Sequence, residues 1–99
     1  MSKGEEILVK ALASALDKVS PGLKAVLETH LKVSLGKGLE VAYSNPKEFK
    51  SAVAKLFGEY SARLLEMVVI DQVKDVLGGS EPPETLEELV EILKEIYGD

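Results

Sequence analysis

Apolar residues recur along most of this chain at steps of three and four, the spacing of one face of an α-helix. Over residues 4–19, Leu8, Ala11, Leu12, Ala15, Leu16 and Val19 trace a single stripe, and Ser20-Pro21-Gly22 ends it. The same triplet starts a second helix, with Ser20 placed to cap and Pro21 suited to the first helical position. That helix runs to about Leu35 with Leu23, Val26, Leu27, Leu31 and Leu35 on its apolar side, and Gly36-Lys37-Gly38 stops it. Residues 39–44 alternate weakly. A lone strand has no partner here, so the pattern predicts a tethering loop whose Leu39, Val41 and Tyr43 tuck onto the core.

Asn45-Pro46-Lys47-Glu48 is a strong helix start: asparagine caps, proline takes the first turn, and a carboxylate sits at the capping-box position. Phe49, Ala52, Val53, Leu56 and Phe57 form the buried face of this third helix, and Gly58 ends it. A fourth helix, over residues 59–77, is different. Leu64, Leu65, Met67, Val68, Val69, Ile70, Val73, Val76 and Leu77 occupy nearly its whole circumference, which predicts a central helix or one shared with a partner chain. A connector, Gly78-Gly79-Ser80-Glu81-Pro82-Pro83, leads to the capping box Thr85-Leu86-Glu87-Glu88 and a fifth helix over residues 84–97. The expectation is an all-α, compact five-helix bundle: one domain over residues 1–99 with the apolar fourth helix at its centre.

The segment from Ile7 to Leu77 resembles a group of small all-helical archaeal domains known as output domains. The likeness rests on the leucine-rich first helix, on Asn45-Pro46-Lys47-Glu48-Phe49, and on Leu56-Phe57-Gly58 followed by a long apolar helix. It covers about three quarters of the chain and leaves the acidic C-terminal helix outside. The resemblance implies signalling or adaptor work and assigns no catalytic residue.

Composition narrows the functional classes. Cysteine is absent, so there is no disulfide, thiolate metal site or cysteine nucleophile. The longest apolar run, Met67 to Ile70, is four residues, far short of a membrane span, and the polar N-terminus does not read as a secretory signal. A cytoplasmic location is expected. Asn45 is the only asparagine and Gln72 the only glutamine beside abundant lysine and glutamate, a hyperthermophile habit. Charge is lopsided: residues 1–58 sum to +3 and residues 59–99 to −8. The simplest account is internal pairing of the last helix's glutamates with lysines of the first three helices. The sharper one is a basic partner surface. Overall acidity argues against nucleic acid as a partner.

Candidate chemistry is thin. His30, the only histidine, lies on the margin of the second helix's apolar stripe, where an imidazole ordinarily packs. No convergent ligands for a metal surround it, no cofactor motif is present, and Gly36-Lys37-Gly38 lacks the framing of a phosphate loop. Glu84, Glu87, Glu88, Glu91 and Glu95 crowd one solvated helix and do not face each other across a cleft. Arg63 is spaced for an intrahelical ion pair with Glu59 or Glu66. The sequence therefore points to a non-enzymatic adaptor or signal-output module acting by protein–protein contact, expected to be a homodimer. Candidate contact residues are Met67, Ile70 and Val73 on the fourth helix and Leu86, Leu89 and Leu93 on the fifth. The alternative is a small nucleic-acid-associated regulator using the lysines of the first half.

Overall fold

The Ser2 hydroxyl accepts a hydrogen bond from the Glu5 amide at 3.1 Å, so the first helix begins with one of its orphan donors satisfied. The computed structural model describes residues 2–78 and 81–98, which places Gly79 and Ser80 of the expected connector outside the described residues. In order, the helices are α1 (Lys3–Val19), α2 (Leu23–Leu35), α3 (Val41–Ser44), α4 (Pro46–Phe57), α5 (Glu59–Val73), continued by a 3-10 turn over Lys74–Leu77, and α6 (Leu86–Tyr97). There are six α-helices among the described residues where the pattern predicted five. The added one is α3. Residues 39–44 do tuck inward, with Leu39, Val41 and Tyr43 all buried, but as a helical turn instead of a loop. Four residues are too few for periodicity to register.

The predicted caps hold at two of three starts. Asn45 Oδ1 accepts from the Glu48 amide at 3.2 Å, and Thr85 Oγ1 accepts from the Glu88 amide at 3.1 Å. At α2 the cap is Gly22, at φ +87°, and Ser20 contributes its carbonyl to the Leu23 amide rather than its hydroxyl. That positive φ suits a glycine and turns the chain directly behind Pro21.

α5 packs along both α1 and α4. α2 and α6 each also bridge α1 and α4. α6 sits at the N-terminal end of α1, where Leu93 lies against Gly4 and the Lys94 ammonium stands 5.6 Å over the Tyr43 ring, a cation–π distance. The fully buried side chains come from every long helix: Leu8, Leu12 and Leu16, Leu27 and Leu31, Val53, Val69 and Val73, Leu86, Leu89 and Leu93. They form one core, and α6 belongs to it.

α5 is a wall of that core and not its axis, which corrects the expectation of a central helix covered on every side. Leu65, Val69, Ile70 and Val73 point inward, whereas Leu64 is 45% exposed, Met67 51% and Val76 49%. A chain of 99 residues buries only about 60–65% of its unfolded surface, too little to enclose a whole helix.

On the inward side of α5 also lies the one buried charged residue among those described, Glu66. Its Oε2 accepts from the Leu86 amide at 2.7 Å and stands 2.9 Å from Lys50 Nζ of α4; its Oε1 accepts from Arg63 at 2.9 Å. Lys50 also reaches Glu87 at 2.7 Å, and Arg63 donates to the Glu84 carbonyl at 2.8 Å. Burial opposes ionisation of Glu66, but the Leu86 amide, Lys50 and Arg63 outweigh it and hold the carboxyl below its ordinary range. Burial opposes Glu87 in the same way, and Lys50 holds it low as well. The network joins α4, α5 and the first turn of α6.

Two expectations follow. Because Glu66 and Glu87 have lower pKa values folded than unfolded, their contribution is fully present above the unfolded value of about 4.3 and is lost as pH falls through the folded values. Glu66→Gln keeps an oxygen for the Leu86 amide but removes the charge that strengthens that bond and turns an NH2 towards Lys50 or Arg63; because both cations are partly exposed, the cost should be about 1–2 kcal/mol at neutral pH. Urea unfolding should show that gap closing towards about pH 3, and a gap independent of pH would contradict the assignment. At Gly4, an added Cβ would lie 2.7 Å from Tyr43 Oη and 3.3 Å from Leu93 Cβ. Gly4→Ala should therefore destabilise by about 1–3 kcal/mol despite alanine's better helix propensity, read as a lowered urea midpoint at unchanged slope.

Candidate contact surface

With more apolar residues than one face can hold, α5 places some of them in solvent. Tyr60, Leu64 and Met67 follow each other at steps of four and three and share the outward stripe, with Tyr60 79% exposed. Of the six contact residues expected from the sequence, Met67 lies on this stripe. Ile70, Val73, Leu86, Leu89 and Leu93 are buried within the protomer. The leucines of α6, at steps of three and four, are spent on the chain's own core.

Residues outside that expected set complete the surface. Where α1 ends and α2 begins, the last turns of α1 and α4 and the first turns of α2 and α5 leave a groove of about 450 Å³. Leu16 and Leu65 form its floor, and Val19, Leu23, Phe57, Leu64 and Val68 its walls. Val19 is 61% exposed. Leu64 belongs both to the groove and to the α5 stripe, so the two are one continuous apolar patch. Such a patch on a small domain is a contact-site signature, whereas scattered single apolar residues are ordinary. The sequence carried a signal for it in the apolar steps continuing through Val19 and Leu23; which of them lie bare follows from the angle between α1 and α2.

Charges of both signs flank the stripe. Lys74 and Asp71 pair at 2.7 Å one turn beyond Met67, and that hydrogen bond lowers the Asp71 pKa while raising that of Lys74, with Lys18 of α1 also favouring the Asp71 carboxylate. The acids of α6 are only partly paired. Glu87 meets Lys50, Glu88 turns back to accept from the Thr85 hydroxyl and the Glu84 amide, and Glu91 and Glu95 stand exposed with no ion pair among the described residues. Internal pairing with the first three predicted helices thus accounts for one glutamate of the row. Arg63 pairs with Glu66, the second of its two candidate acids.

His30 is half-buried between α2 and α4, where its Nε2 donates to the Ala52 carbonyl at 3.1 Å. No group of three or more potential metal ligands occurs among the described residues. No helix among them is long and apolar enough to cross a membrane.

The arrangement has known relatives. A crystal structure of a Pyrococcus horikoshii OT3 protein superimposes with a TM-score of 0.93 at 55% sequence identity, covering 99% of this chain and 100% of that one. No curated protein matches the chain. A family model, Nitrosopumilus output domain 5, matches residues 2–95 and so takes in nearly all of α6, which the resemblance drawn from the sequence had left outside. Matched over that length, the chain belongs to the Nitrosopumilus output domain 5 family.

Proposed function

We propose that this domain is a non-catalytic output or adaptor module that works by protein–protein contact, and that its α5 patch pairs with a second copy. The observation that carries this reading is the continuity of exposed Tyr60, Leu64 and Met67 with the groove beside Val19. A two-fold axis crossing α5 between Leu65 and Glu66 would bring Leu64 against Met67 of the second copy and the Tyr60 hydroxyl towards its Asp71. Apolar thus meets apolar at the centre, and a phenol donor meets a carboxylate at the rim. Such self-complementarity is what an isologous dimer requires. The non-catalytic part is supported by how the ionisable groups are used. Glu66 is enclosed by three donors, and the Nε2–H of His30 is committed to a helix carbonyl.

Sedimentation equilibrium at micromolar concentration should give twice the 10.7 kDa chain mass. Leu64→Glu, at a half-exposed position, should return the monomer with helix content retained and a thermal midpoint that is lowered by the lost association and no longer depends on protein concentration. A wild-type chain that stays monomeric would remove the second copy as partner.

A further inference from the structure

Two polar stripes face each other between α2 and α4. His30 and Ser34 lie one turn apart on α2, and Lys47, Ser51 and Lys55 lie on successive turns of α4. They line a cleft of about 530 Å³, a volume within the range that holds small organic ligands. Its charge is unusual for a chain of net charge −5. The lining holds one acid, Glu48, which already stands 3.8 Å from Lys37 Nζ, while Lys47 and Lys55 have no ion-pair partner among the described residues. By contrast, the cleft beside Met67 sets Arg63 and Lys74 against Asp71 and Glu84.

We propose that the α2–α4 cleft binds the phosphate group of a small phosphorylated molecule. Lys47 and Lys55 are each about 6 Å along the helix axis from Ser51, so their flexible stems can converge on a phosphate seated over the Ser51 hydroxyl. Ser51 and Ser34 then donate to oxygens that the ammonium groups leave open, the mixture of charge-assisted and neutral donors that a phosphate takes. The Nε2–H of His30 is committed to the Ala52 carbonyl, which fixes the ring beside the cleft. The site is independent of the α5 patch and shares no lining residue with its groove.

His30 is the only histidine, so its imidazole resonances report on this cleft alone. Two NMR titrations at low ionic strength, one with inorganic phosphate and one with a nucleoside monophosphate, distinguish the free anion from an ester. Either should move the His30 ring signals and the Ser34 and Ser51 amides saturably; movement by the nucleotide alone would mean that the cleft also holds the organic part. The double variant Lys47→Gln, Lys55→Gln should weaken the response about tenfold, while Lys10→Gln, on exposed α1 surface, should leave it unchanged. No saturable shift with either probe up to millimolar concentration overturns the proposal. So does a response that Lys10→Gln weakens as much as the double variant.

Discussion

The Glu66 carboxylate is shared by three helices. Glu66 itself belongs to α5, Lys50 to α4, and the Leu86 amide opens α6. A buried carboxylate is costly unless its lone pairs are taken up, and here three donors take them up. One of those donors is a first-turn amide that the helix itself cannot satisfy. The carboxylate therefore acts as a cap supplied from another helix, and it fixes where α6 starts. The leucines of α6 are then set at the depth where they close the end of the core beside Gly4 and Tyr43.

That constraint explains the distribution of surface. α6 spends its apolar seam internally, so its remaining exposed side is acidic. α5 gives an inward position to a charge, and Leu64 and Met67 face outward. The molecule thus has an acidic end at α6 and, where α1 ends, an apolar groove continuous with the bare stripe of α5. In an output domain built this way the apolar surface lies open without any rearrangement of the core. The α2–α4 cleft lies apart from both and collects lysines that the acids of α6 do not reach.

Much of the fold is legible in the sequence because its signals are local. Asn45 and Thr85 mark helix starts by a hydrogen bond spanning three residues, and the stripe from Leu8 to Leu16 gives the inward face of α1 by spacing alone. Ser2 and Glu5 carried the same kind of cap signal at α1, which is visible once the pair is read together. What could not be read is what depends on distant partners. The apolar circumference of residues 64–77 suggested burial all round, yet which side stays bare is decided by where α1 and α4 lie. Arg63 and Glu66 look like an ordinary intrahelical pair, and nothing local reveals that the same carboxylate reaches the amide of Leu86, 20 residues on. For the same reason Leu86, Leu89 and Leu93 looked as fit for a partner as for a core.

The most direct measurement of this account is the hydrogen exchange of the Leu86 backbone amide. At the first position of an exposed helix that amide has no intrahelical acceptor and exchanges at nearly the unprotected rate. With Glu66 as its acceptor it should instead be protected to the same opening free energy as the core amides of α1 and α4. Exchange at the rate of an unstructured chain, with the α1 and α4 amides protected, would show that α6 is not clamped and would contradict the account.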